Sequence, residues 1–289
     1  MLGVFNRNES GSTQLQNDLL VLNDWTTKWS TELNVLKCKT MYIGRNRDKT
    51  GYTVPIWDGE VPLKETAEEK DLGVVVSNDL KWNKQCSSAA SKANRVLGQI
   101  RNSFVSLDKE TFRLLYTGLV RPHLEYAVSI WNPSTKANIN IIERVQRRAT
   151  KLVKCLKEKP YQERLLALDL MNLEDRRTRG DLIQMFKIIN RHEKINLVKG
   201  VNMATSLKLN LRRKHDMKLE REICKQATSN YNFLTNRVVS KWNVLPQSVV
   251  NAETVNGFKA GIDREVFGME RRKKRKTATA LIELNAERR

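Results

Sequence analysis

The chain has 289 residues, with 52 Lys and Arg against 32 Asp and Glu, a formal charge of +20. That length suits one large or two small domains, and an apolar content of 40% is enough to bury a core, which argues against a wholly disordered chain. No apolar run approaches the roughly 20 residues of a membrane helix, and Met1 to Phe5 lacks the basic start and apolar length of a secretory leader, so a soluble intracellular protein is expected.

The charge is unevenly placed. Residues 1–80 carry a net of −3 and residues 81–289 a net of +23. A field of that size attracts polyanions through counterion release. Nucleic acid is the first candidate; a membrane surface is second, but no basic amphipathic helix has an aromatic insertion face. Cys38, Cys86, Cys155 and Cys224 are far apart, form no C-x-x-C pair and have no histidine at finger spacing, so they read as reduced thiols with neither a metal nor a disulfide-linked partner.

In chain order, Thr13 to Gln16 fits a capping box. Leu15, Leu19, Leu22, Trp25, Trp29 and Leu33 then recur at steps of three or four, one stripe of a helix. Thr40 to Ile43 reads as a short strand, and Tyr52, Val54 and Ile56 alternate. Asp58-Gly59 is a type I′ turn signal followed by Val61 and Leu63, and Leu72 to Val76 is a second apolar β run. From residue 83 the period becomes helical, with Cys86, Ala89, Ala90, Ala93, Leu97, Ile100 and Phe104 on one face. Asp108 is placed as an N-cap, with Leu107 stapling onto Phe112. Phe112, Leu115, Tyr116 and Leu119 continue the stripe until Pro122 kinks or restarts it. Asn132-Pro133-Ser134 is a turn, and Ile141, Ile142, Val145, Ala149, Leu152 and Leu156 mark the next helix. Two more helices follow at 161–170 and 173–191, the second with Leu182, Ile183, Phe186 and Ile189 inward. Residues 194–215 are basic and weakly patterned. A last folded piece, 231–262, holds Phe233, Val238, Trp242, Leu245 and Phe258.

The chemistry in this pattern is cationic. Arg144, Arg147, Arg148 and Lys151 project from one side of the 138–157 helix, at a spacing that matches phosphates along a groove. The bland reading is a solvated helix face, weakened by Glu143 being the only acid among them. Arg176, Arg177 and Arg179 are flanked by Glu174, Asp175 and Asp181, which points to ion pairs within the helix. The acidic cluster Glu65, Glu68, Glu69 and Asp71 reads as an exposed turn rather than a cation site. Most aromatic residues lie on apolar stripes and read as core rather than base-stacking platforms. There is no phosphate-binding glycine loop, no H-E-x-x-H, no G-x-S-x-G and no Asp-Asp pair.

Several strings in order resemble the C-terminal part of reverse transcriptases encoded by non-LTR retrotransposons of the LINE, jockey-like kind. They are Leu15 to Leu19 with Trp25 and Trp29, Leu33 to Lys39, Glu68 to Val74, Leu115-Tyr116, Leu119 to Tyr126, Trp131-Asn132-Pro133, Val145 to Lys151, Arg179 to Ile183, Arg237 to Val239 and Trp242 to Pro246. The resemblance implies that Met1 to Phe5 follow an aromatic-x-Asp-Asp hairpin, so that the catalytic aspartates and their Mg²⁺ belong to a full-length polymerase and this chain alone is inactive. It implies that Lys37 lies near motif D, assisting proton transfer, and that Leu72, Gly73 and Val74 form a primer grip. It further implies that the helices from 83 to 156 are a thumb holding a template–primer duplex.

The fold class that follows is α+β. A palm remnant of hairpins and one helix occupies 1–82. A thumb-like bundle at 83–157, a helical extension at 158–193, a basic linker at 194–230, a small helical piece at 231–263 and a basic tail at 264–289 complete it. The expected partner is RNA, DNA or an RNA–DNA hybrid, with no membrane and no cofactor in this chain. The run 271–276 is an import signal for a nuclear location or one more polyanion contact in a nuclear or cytoplasmic protein. The alternative is a non-catalytic basic helical protein that docks an acidic partner.

Overall fold

The computed structural model describes residues 9–31, 33–43, 51–56, 59–195, 201, 203, 215–222 and 232–268. Met1 to Phe5, Asp58, Cys224 and the basic run 271–276 lie outside them. The chain divides into two compact units between Lys81 and Trp82.

In the first unit, helix α1 (Glu9–Lys28) precedes six short strands: β1 (Lys39–Thr40), β2 (Thr53–Ile56), β3 (Gly59–Pro62), β4 (Lys64–Glu65), β5 (Glu68–Asp71) and β6 (Val74–Ser77). They pair as β1 parallel to β4, and as the antiparallel hairpins β2–β3 and β5–β6. The expected capping box is corrected. The helix begins at Glu9, so Thr13 and Gln16 lie inside it, and Gln16 docks α1 onto a strand instead. Its amide donates to the Thr53 carbonyl at 2.9 Å and accepts from the Thr53 N–H at 3.1 Å, completing the backbone pairing of the β2 edge. Trp25 and Trp29 of the expected stripe stay 55% and 62% exposed, with ring centroids 6.3 Å apart. The strand expected at 40–43 shrinks to Lys39–Thr40.

Both hairpin turns differ from expectation by register. Ile56 pairs with Gly59, so Gly59 lies on a strand and not in the turn expected at Asp58-Gly59. Asp71 pairs with Val74, so Leu72 and Gly73 are a loop and not the start of a strand. Their φ angles of 43° and 87° are both positive, as a type I′ turn requires.

The second unit starts with α2 (Asn83–Ser103), whose buried face is Cys86, Ala89, Ala90, Ala93, Leu97 and Ile100. Phe104 falls past its end and is exposed. Burial pushes the Cys86 thiol up to about 11, so it is an inert core group. Helix α3 (Lys109–Leu115) is N-capped by Asp108, whose Oδ1 accepts from the Glu110 and Thr111 N–H groups, both at 2.9 Å. The predicted stripe then breaks. The buried residues are Phe112, Tyr116, Val120 and Leu124, four apart, while Leu119 is exposed. A π-helical turn at Tyr116–Val120 joins α3 to α4 (Arg121–Glu125) and carries this spacing. Pro122 has no N–H to offer the carbonyl four residues back, which favours a wider turn there.

Helices α5 (Lys136–Ala149), α6 (Tyr161–Leu168) and α7 (Leu173–Ile189) follow. The C-terminal segment is four shorter helices: α8 (Leu234–Arg237), α9 (Val239–Trp242), α10 (Gln247–Val250) and α11 (Val255–Glu265). It shares one apolar cluster with α7, in which Phe186 stacks on Phe258 at 4.3 Å between ring centroids. Residues 215–222, inside the stretch expected as a linker, form a strap. Trp242 Nε1 donates to the Met217 carbonyl at 2.7 Å, and the Asn243 amide exchanges two hydrogen bonds of 2.9 Å with the backbone of Leu219.

The ion pairs expected within α7 are corrected to tertiary ones. Arg176 grips Glu125 through both carboxylate oxygens. Arg179 grips Asp263, at 2.6 and 2.9 Å. Asp181 accepts two bonds from Arg237, at 2.7 and 2.8 Å, and Arg237 also donates to the carbonyls of Val128, Ser129 and Asn232. Successive residues of a helix point different ways, so one charged run reaches three elements.

Two outcomes follow for stability. Arg237→Leu leaves Asp181 buried without its partner and should cost about 3–5 kcal/mol in urea unfolding, whereas the Asp181→Leu/Arg237→Leu double variant should cost less than the single one. His215 is buried, its Nε2 meets the Trp242 carbonyl at 3.1 Å, and its Nδ1 has no partner among the described residues. Burial lowers its pKa from 6.5. The unfolded chain therefore binds the extra proton more readily, and stability is lost as pH falls below about 6.5. Melting temperature measured from pH 7.5 to pH 5 should fall less in His215→Gln than in the unaltered chain.

Candidate nucleic-acid interface

Helix α5 is built two-sided. Thr135 caps it by accepting from the Asn138 N–H at 3.3 Å. Ile142, Val145 and Ala149 are buried, and Glu143 and Gln146 are buried with them. These two polar side chains join a closed network. Tyr116 donates to Gln146 Oε1 at 2.6 Å, and Gln146 Nε2 donates to the Met171 carbonyl at 2.9 Å and to the Tyr161 hydroxyl at 3.0 Å. Tyr161 in turn donates to Glu143 Oε1, while Glu143 Oε2 accepts from the Leu173 N–H at 3.0 Å, at the start of α7. Burial pushes the Glu143 carboxyl up, against the pull of the bonds from Tyr161 and Leu173.

The opposite side of α5 presents Arg144, Arg147 and Arg148, with Lys151 following in a 3₁₀ turn at Thr150–Leu152, all exposed. Arg147 lies over the Tyr161 ring at 5.0 Å. Arg148 donates to Asn94 Oδ1 of α2 at 3.1 Å. Asn138 donates to Asn83 Oδ1 at 2.5 Å, so the contacts advance in the same direction on both helices and α2 runs parallel beside α5. Helix α2 adds Arg95 and Arg101, both exposed, and half-buried Lys92. The sequence carries no acid between Asp79 and Asp108, nor any but Glu143 between Glu125 and Glu158. That gap in acidic residues was the signal by which the α2 cations could have been found alongside those of α5.

The other predicted residues lie in the first unit. Lys37 sits in an exposed 3₁₀ turn, Val35–Lys37. Leu72 is 83% exposed at the tip of the β5–β6 hairpin, Gly73 completes the turn, and the Val74 side chain is buried. The hairpin therefore offers Leu72 and Gly73 outward and spends Val74 on packing. Of the acidic cluster, Glu65 lies on β4 and Glu68, Glu69 and Asp71 on β5, not on a turn, and Glu69 pairs with Lys39 at 2.5 Å. Among the described residues, no group of three or more His, Cys, Asp or Glu side chains is gathered as for a metal ion.

Over 140 residues the chain is 29% identical to the RNA-directed DNA polymerase from mobile element jockey of Drosophila funebris, a match that takes in 46% of this chain. That stretch is reverse-transcriptase-like. It spans 14% of the length of that curated relative. No family model matches the chain. No solved structure matches it. The likeness agrees with the retrotransposon polymerase kinship implied by the residue strings.

The turn geometry yields a separate expectation. A β-carbon at positive φ is strained, so Leu72→Gly should stabilise the β5–β6 hairpin by up to about 1 kcal/mol in denaturant unfolding. If Leu72 is held there for contact, the same change should weaken nucleic-acid retention in a filter assay.

Proposed function

We propose that this chain is the nucleic-acid-holding part of a retrotransposon reverse transcriptase. In this reading the α2–α5 helices form a thumb-like surface that grips the backbone of RNA, DNA or a hybrid duplex. The β5–β6 turn at Leu72-Gly73 acts as the primer grip, and Lys37 is the motif D lysine. The observation that carries the reading is the orientation of Glu143. The one acid of the basic helix is drawn inside by Tyr161 and Leu173, which leaves Arg144, Arg148 and Lys151 outside with no acid on their own helix to neutralise them, and Arg147 with only the buried Glu143 in electrostatic reach. Exposed cations in that state bind phosphates and release counterions, with little regard to base sequence. The proposal covers binding and not nucleotidyl transfer, for which metal-holding carboxylates are needed and for which the sequence has no Asp-Asp pair. Mg²⁺ is accordingly assigned to a full-length polymerase. A nuclear site of action, served by 271–276, belongs to the same reading.

The test is a filter-binding titration across salt. Changing Arg144, Arg147, Arg148 and Lys151 together to Glu should weaken binding to a hybrid duplex and flatten the slope of log Kobs against log salt by about 3.6. The four side chains are exposed, so circular dichroism should show the helices retained. An unchanged slope would exclude this face as the contact. A saturable one-to-one complex with an acidic protein, and none with nucleic acid, would favour the interaction-protein alternative.

A further inference from the structure

The cations on the outer side of α5 are not held alike. Arg147 lies over the Tyr161 ring at 5.0 Å. Arg148 donates to Asn94 Oδ1 of α2 at 3.1 Å. Among the described residues, no ring, hydrogen-bond or ion-pair partner holds the side chain of Arg144 or Lys151. The ring beneath Arg147 is itself pinned. Tyr161 opens α6, and its hydroxyl donates to Glu143 Oε1 and accepts from Gln146 Nε2 at 3.0 Å. A second guanidinium, that of Arg164, lies 5.5 Å from the same ring centroid. Arg164 is buried and fixed in turn, donating to Thr150 Oγ1 at 3.0 Å and to the Lys159 carbonyl at 2.7 Å.

Neither support uses up its cation. A guanidinium carries its N–H donors in a rigid planar fork, and contact with a ring takes none of them. The bond to Asn94 takes one donor of Arg148 and leaves the rest. A fork already in place can meet two oxygens of one phosphate with little further loss of rotamer freedom. Arg144 and Lys151 bring charge alone, and their side chains must be immobilised on binding. The two contributions have different signatures. Charge sets the salt slope through released counterions. Pre-arrangement raises affinity equally at every salt concentration. We propose that Tyr161 and Asn94 are positioning residues, which hold Arg147 and Arg148 in place for phosphate oxygens so that these two arginines supply the geometric share of binding. This inference rests on the reading of the α5 face as a phosphate contact.

The experiment is filter binding of the full chain to an RNA–DNA hybrid duplex across salt. Tyr161→Leu removes the ring and no charge. It should weaken binding about three- to tenfold at every salt concentration, with the slope unchanged. It should add nothing once Arg147→Ala is present. Tyr161→Phe keeps the ring and should recover most of the loss. Asn94→Ala should weaken binding in the same manner, and only while Arg148 is there. Should Tyr161→Leu fail to fold, exposed positions make the same test. Arg147→Lys and Arg148→Lys keep the charge and lose the fork, and each should weaken binding at constant slope by more than Arg144→Lys does. Losses that persist undiminished without Arg147 and Arg148 would overturn the proposal, as would a change of slope in Tyr161→Leu. If charge reversal of all four cations leaves the slope unchanged, the face is not the contact and both readings fall. If that reversal flattens the slope while Tyr161→Leu and Asn94→Ala bind as the unaltered chain does, the positioning role alone falls.

Discussion

The second unit depends on where helix α7 sends its charges. Arg176, Arg179 and Asp181 each meet a carboxylate or guanidinium from another element, at Glu125, Asp263 and Arg237. The Asp181–Arg237 pair is the most buried of these, and Arg237 also ties down three backbone carbonyls. A buried pair of this kind adds little net stability over an apolar substitute, yet it is severe to break. Its larger effect is to specify arrangement. The four short C-terminal helices pack apolar side chains against Met185 and Phe186, and the pairs at Arg179 and Asp181 add directional contacts to that packing.

The same division of labour explains the cationic face. Helix α5 presents cations outward because its polar residues Glu143 and Gln146 are absorbed by Tyr116, Tyr161, Met171 and Leu173. The network is closed, every bond running to another member or to backbone, which is the condition for burying polar groups without large loss. Arg147 resting on Tyr161 couples the two sides of the helix, since one ring serves the inner network with its hydroxyl and the outer cation with its face. A surface of like charges is thus held in place by polar contacts underneath it.

Local chemistry settles the joints between elements. The π-helical turn before Pro122 keeps Phe112, Tyr116, Val120 and Leu124 on one buried line, although a regular helix would rotate that line away from the core. At Leu72 the hairpin holds a leucine at positive φ, where glycine or asparagine is easier. Strain of this sort clusters where a side chain is wanted for contact, in keeping with the exposed tip proposed to meet nucleic acid.

What could be read directly was whatever depends on neighbours in sequence. The small-residue face of α2, the Asp108 cap and the cationic side of α5 follow from local periodicity and hydrogen-bonding range, and the structure presents them so. The hairpins were misread, with Gly59 on a strand and Leu72-Gly73 in a loop, because register is set by the pairing partner and not by the turn dipeptide alone. Gln16 looked like part of a cap and serves as a dock, since its amide can complete either kind of backbone edge. The basic face was legible on α5 alone. Its extension over α2 needed the parallel packing seen at Asn83–Asn138 and Asn94–Arg148. By itself the sequence determined most of the helical stretches, though not the start of α1 at Glu9 or the end of α5 at Ala149, and where positive charge accumulates, both short-range properties of side chains. Only the tertiary structure decided which charges are spent inside, at Arg177, Asp181 and Glu143, and which remain on the surface, because that depends on residues dozens of positions away closing around them.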